Sequence, residues 1–144
     1  MAEISGLLLF LRYAWPCADE KLRTGKITLE DYERLKLFVE NNMQPDLALM
    51  EYCFLTAFRE YCETCTKLNI DANLSFESVS KHWRYHHNHE GNCAVKMLTV
   101  VGINGQMVAT GLAKPFVNFY DLQLEIVDTI SVHRGVVIEK IELL

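Results

Sequence analysis

The spacing of apolar residues changes once along the chain. Up to about residue 90 they recur at helical intervals; from Cys93 onward they fall into short β-branched runs. Residues 3–15 form a short apolar segment, predicted as a helix stopped by Pro16, which has no backbone N–H to continue the ladder. Thr28-Leu-Glu-Asp31 places a hydroxyl N-cap ahead of a carboxylate at the third helical position. Tyr32, Leu35, Phe38 and Val39 then follow at helical spacing, predicting a second helix to about Asn42. Pro45 suits the first residue of a third helix, the longest expected, with Leu47, Met50, Phe54, Leu55, Phe58, Tyr61, Cys62 and Cys65 as one broad stripe. The stripe reads as core; exposed, it would drive self-association into a homo-oligomer. Residues 68–75 lose periodicity and mark a connection, after which Ser75 or Ser78 caps a fourth helix carrying Trp83 and Tyr85 and ending before Gly91.

The second half reads as strands. Val100, Val101 and Ile103 lead into Asn104-Gly105, a hairpin signal because both turn positions favour positive φ. Residues 116–120, 122–126, 129–133 and 136–141 are further strand candidates, separated by Lys114-Pro115, Asp128 and Arg134-Gly135. With no room for crossover helices, such strands favour a closed or half-closed barrel. The expected fold class is therefore α+β: a helical region of about four helices over residues 1–90, then a small antiparallel, OB-like β-barrel over 91–144.

Composition narrows the function classes. Half of the 144 residues are hydrophobic, enough for a core; 23% are charged, and the net charge of −5 carries no clustered basic stretch, which argues against nucleic acid as a partner. The apolar run at 7–11 falls far short of the about 20 residues a membrane-spanning helix needs, and Glu3 stands where a signal peptide would be basic. The expected location is cytoplasmic. The five cysteines, Cys17, Cys53, Cys62, Cys65 and Cys93, are an odd set that reads as free thiols in a reducing compartment. Cys62-Glu-Thr-Cys65 has the C-x-x-C form, but it lies late in a helix with no second pair to complete a zinc site, and reads as packing.

The densest candidate chemistry is His82-Trp-Arg-Tyr-His-His-Asn-His-Glu90, with four of the five histidines. On a helix His82 and His86 share a face at i, i+4; with His89 or Glu90 and with Cys93 they make a conceivable mixed site for zinc or iron. The bland alternative is a solvated turn whose Trp83 and Tyr85 dock on the β-region. Glycine-rich phosphate loops, the serine-hydrolase elbow and the zincin helix motif are all absent from the sequence, so it offers little support for catalysis.

Two segments carry a resemblance. Cys93-Ala-Val-Lys-Met-Leu-Thr-Val-Val-Gly-Ile-Asn-Gly105 resembles the opening of HypC/HupF-type hydrogenase-maturation chaperones, and Ile126-Val-Asp-Thr-Ile-Ser-Val-His-Arg-Gly-Val-Val-Ile-Glu-Lys-Ile141 resembles their closing hairpin. The resemblance covers about a third of the chain and implies a HypC-like barrel, a non-enzymatic role in metalloenzyme maturation, and a protein partner such as a [NiFe] hydrogenase large subunit or a maturation factor. It also implies that Cys93 and His133 hold an iron in transit, a thiolate and an imidazole being suitable ligands that leave positions open for transfer. Cys93 is internal here, where the family's cysteine follows the initiator Met, and Met97-Leu98 replace the usual Pro-Gly. Gly6-Leu-Leu-Leu-Phe-Leu-Arg-Tyr-Ala-Trp-Pro16 is similar to uncharacterised prokaryotic proteins that join a helical region to a HypC-like end, and implies no activity. Two other readings stand beside the chaperone: a metal-dependent enzyme built on His82, His86, His89 and His133, and a metal-free structural adaptor.

Overall fold

The computed structural model describes residues 4–86 and 94–142, without the side chain of His86. The chain divides into two compact units, Met1–His86 and His87–Leu144. The first is helical and the second is a sheet, so the class is α+β.

In the helical unit, α1 (Gly6–Ala14) is capped by Ser5, whose hydroxyl accepts the Leu8 N–H at 3.1 Å. All nine of its residues are buried, so α1 is the central helix that the others surround. Helix α1 stops at Ala14, just ahead of Pro16, as expected, but the chain does not leave the helical course there. The chain tightens through a 3₁₀ turn at Trp15–Cys17 and continues as α2 (Ala18–Arg23), because a proline in the first turn of a new helix removes only an N–H that has no intrahelical partner. Helix α3 (Leu29–Glu40) starts with the reciprocal Thr28/Asp31 capping box. The single long helix expected next is two. Asp46, not Pro45, opens α4 (Leu47–Cys53) by accepting the Ala48 N–H, and the chain kinks at Phe54 (φ −127°, ψ 44°) before α5 (Leu55–Leu68). The kink buries Phe54, as the stripe leads one to expect, but leaves Leu55, a member of the same stripe, half exposed. Asn69 closes α5 in the left-handed conformation. Ser75 accepts the Ser78 N–H at the start of α6 (Phe76–His86).

The core of this unit is aromatic. Phe10 of α1 stacks on Phe58 of α5 with centroids 4.2 Å apart and meets Trp83 of α6 edge-on at 5.4 Å, while Trp83 lies parallel to Tyr13. Trp83, expected to dock on the β-region, is thus committed to α1. Gly6 lies so close to residues 74 and 75 that a Cβ there would stand 2.0 Å from the Leu74 carbonyl oxygen, which sets the approach of α1 to the connection before α6. No described helix is long and apolar enough to cross a membrane.

The second unit holds β1 (Val95–Thr99), β2 (Gly102–Asn104), β3 (Met107–Ala109), β4 (Phe116–Val117), β5 (Thr129–His133) and β6 (Val136–Ile141) in the order β1-β5-β6-β4-β3-β2. The sheet is mixed, since β4 meets β6 in parallel, and among the described residues no ladder joins β1 to β2 to close it; both points differ from the antiparallel barrel expected. Its two end strands are nevertheless successive in the chain. The Val100 N–H donates to Asp128 O and the Val101 N–H to Ala109 O, so the chain changes neighbour within one residue. Val100, Val108, Ile130, Val132 and Val137 form the apolar core, with Leu98, Phe116, Leu122 and Leu124 packed on it.

Two turns explain the register. The first hairpin turns at Gly105-Gln106, with Asn104 paired to Met107 and only Gly105 at positive φ (60°); the turn lies one residue later than Asn104-Gly105 suggests, in the pattern led by a first-position glycine. The hairpin after β5 has positive φ at both Arg134 (50°) and Gly135 (83°), which matches the right-handed twist of the flanking strands. Residues 122–126 are not a strand. The Asn118 amide clamps both backbone groups of Leu122 at 2.9 Å and Asp128 accepts the Glu125 N–H at 2.7 Å, so side chains take the bonds a ladder would have used.

Candidate functional site

Alternation along β5 separates two faces. Ile130 and Val132 point into the apolar core, so Ser131 and His133 point to the opposite face. That opposite face is not a solvated one: Ser131 is 0% and His133 1% exposed. On β1, Val95 lies opposite His133 and Met97 opposite Ser131.

The third polar member comes from β6, through an irregularity. Val136 pairs with His133 and Val137 with Val132, a register that would set Glu139 opposite Ile130 on the core face. A bulge intervenes between Ser131 and Val132, so that Glu139 pairs with Ser131 instead. The Ser131 hydroxyl accepts the Glu139 backbone N–H at 3.2 Å, satisfying a donor that the extra residue displaces from the ladder. Glu139 is 6% exposed. Directly opposed side chains in such a ladder have Cβ atoms about 5 Å apart and diagonal ones about 7 Å, within reach of an imidazole and a glutamate. The result is a buried row of imidazole, hydroxyl and carboxylate on one face of β5–β6.

The histidine-rich segment behaves differently where it is described. His82 is 0% exposed in the helical unit; its Nδ1 is 2.9 Å from Thr64 Oγ1, and its ring meets those of Phe10, Tyr61 and Trp83. A ring so placed is a core histidine held by a threonine, neither solvated nor on an open helix face. The His86 side chain, His89, Glu90 and Cys93 lie outside the described residues. Among the described residues no three His, Cys, Asp or Glu side chains gather as a group that would hold a metal ion.

Of the cysteines, Cys62 is exposed whereas Cys53 and Cys65 are buried. Burial pushes the Cys53 thiol up to about 11 and raises that of Cys65 as well, which keeps both protonated and unreactive near neutrality. A polar cavity of about 280 Å³ lies beside the start of α6, between Asp71, Asn73, Ser75 and Lys81. Its rim groups serve the helix cap and the Lys81–Glu77 ion pair at 2.9 Å.

The sequence reading found His133 but not Ser131 or Glu139. Ser131 was legible from the alternation Thr129-Ile-Ser-Val-His133. Glu139 was not, because period-two counting places it with Val137 on the core face and only the bulge moves it. No family model, curated protein or solved structure matches the chain.

Proposed function

We propose that the chain is a non-catalytic accessory protein of metalloenzyme maturation, whose β unit holds a metal ion in transit at His133 and docks on a protein partner. The observation that carries this reading is the β1–β5 register: Val95, two positions after Cys93, is the cross-strand partner of His133, so the chain that leaves Cys93 runs beside the strand that ends in His133. The resemblance to HypC/HupF chaperones supplies the expected cargo, iron, and the expected partner, a [NiFe] hydrogenase large subunit or a maturation factor. The hairpin at Arg134-Gly135 suits the closing hairpin of that family. Free thiols among the described cysteines suit a cytoplasmic setting. The enzyme alternative loses support from His82, whose ring is occupied by Thr64 and the aromatic core.

The test is affinity isolation of the tagged full chain from its source cells without oxygen, followed by mass spectrometry. Recovery of a metalloenzyme subunit or a maturation factor, lost with Cys93→Ser and with His133→Ala, is the expected result. Recovery of neither, or recovery that both variants leave unchanged, overturns the reading.

A further inference from the structure

Strand β2 ends the sheet, and the chain that would have covered its outer edge is turned away. The lead-in to β5 keeps beside β1 as far as Val100, which donates its N–H to Asp128 O at 2.9 Å and accepts the Val127 N–H at 2.8 Å. Residues 122–126 would continue beside β2 as a strand, but Asn118 holds both backbone groups of Leu122 and Asp128 holds the Glu125 N–H. β2 therefore pairs with β3 on one side and, among the described residues, with no strand on the other. Asn104 and Met107 close a two-residue turn and so exchange both of their hydrogen bonds. In an antiparallel ladder the next pair, Ile103 and Val108, exchanges none, which points the Ile103 N–H and C=O away from β3.

The side chains and charges of this edge agree with its backbone. Val101 is 57% and Ile103 43% exposed, and Val127, a β-branched residue at φ 72°, stands in solvent where the accompanying chain leaves. A strained valine that gains no burial costs the monomer stability, and strain of this kind clusters at surfaces in use. From Met97 to Ala113 no residue is charged, in a chain that is 23% charged. The other end strand, β1, carries the exposed Lys96, a charge of the kind that keeps sheet edges apart, and β2 carries none. We infer that β2 is an interface with a second copy of this chain, the two β2 strands pairing antiparallel about a two-fold axis at Ile103. The outward backbone groups specify an extended occupant, and the uncharged sequence lets the strand oppose itself without like-charge repulsion. About the axis Ile103 meets its own counterpart, with Gly102 opposite Asn104, and the two isoleucines exchange both N–H···O bonds, an isologous contact that closes the edge. A three-residue strand makes this dimer concentration-dependent rather than obligate, and it needs no metal at His133.

Sedimentation equilibrium of the reduced full chain between about 1 μM and about 1 mM, the span of weak association, is the test. It compares the wild type with Ile103→Val, Ile103→Lys and, on the other end strand, Met97→Lys. The wild type and Ile103→Val are expected to pass from monomer to dimer as the concentration rises. Ile103→Lys sets two like charges against each other at the axis and removes the apolar contact, and is expected to weaken dimerisation at least about tenfold, whereas Met97→Lys leaves it unchanged. A wild type that stays monomeric across the range overturns the inference. So does a dimer that Ile103→Lys leaves intact. If circular dichroism shows that Ile103→Lys does not fold, amide hydrogen exchange of the wild type decides: protection of the Ile103 N–H that rises with concentration supports the pairing, and protection independent of concentration overturns it.

Discussion

Gly6→Ala tests the packing of the helical unit at its tightest point. The substitution places a methyl group 2.0 Å from the Leu74 carbonyl oxygen and 2.6 Å from the Ser75 carbonyl carbon. Relief to an ordinary contact requires α1 or the 74–75 backbone to retreat by more than about an ångström in a close-packed interior. Two effects oppose each other. Gly6 is not at positive φ, so alanine adopts its backbone conformation freely and gains about 0.4–1 kcal/mol from helix propensity and reduced unfolded-state entropy. Against this, overpacking that displaces backbone costs about 1–3 kcal/mol, and the upper end applies because both clashing atoms are main chain and no side chain can swing away. The clash wins, with a net loss of about 2 kcal/mol. For a unit of this size that lowers the midpoint by about 10 °C. Far-UV circular dichroism during thermal or urea unfolding reads the effect, with Gly111→Ala as control, since nothing lies within 4 Å of a Cβ there. A Gly6→Ala protein as stable as the wild type would refute the close approach of α1 to residues 74 and 75.

Three further outcomes follow from individual residues. Val127 is a β-branched residue at φ 72° with 77% of its surface exposed, so Val127→Gly relieves backbone strain at little loss of burial and is expected to stabilise the β unit by about 1 kcal/mol in urea unfolding; destabilisation would contradict the strained conformation. Cys53, raised from 9.0 to about 11, holds its proton in the fold where the unfolded chain releases it. Its contribution is therefore full below about pH 9 and is lost as pH climbs through about 11, on the order of 2–3 kcal/mol, and Cys53→Ala should flatten that part of a stability–pH curve. A thiol reagent at neutral pH should label Cys62 well before Cys53 or Cys65, read by peptide mass spectrometry; labelling of all three at one rate would contradict their burial.

How much the sequence revealed depended on whether local rules governed the outcome. The Thr28/Asp31 capping box, the Ser75 cap and the strands 129–133 and 136–141 follow from capping and period-two patterning, and the structure forms each of them. The kink at Phe54 was hidden because Leu47–Cys53 and Leu55–Leu68 present compatible stripes; burial of one ring decides where the helix breaks. Residues 122–126 have a strand's composition, yet Asn118 and Asp128 capture their backbone groups, a choice made by side chains outside the segment. The candidate site shows the same division. His133 was visible as a histidine before an Arg-Gly turn, Ser131 was visible by alternation, and Glu139 was not, because a register shift is a property of two strands together. His82 drew attention through its neighbours in sequence, while its surroundings in space are Phe10, Tyr61, Thr64 and Trp83.

The central question is whether His133 holds a metal ion in the cell. Iron, zinc and cobalt per chain, measured by elemental analysis on full-length protein isolated without oxygen, test this most directly when wild type, His133→Ala and His82→Ala are compared. Iron is expected in the wild type, depleted by His133→Ala and retained in a folded His82→Ala protein. Metal that survives His133→Ala and disappears with His82→Ala, or wild-type protein that carries none, would contradict it.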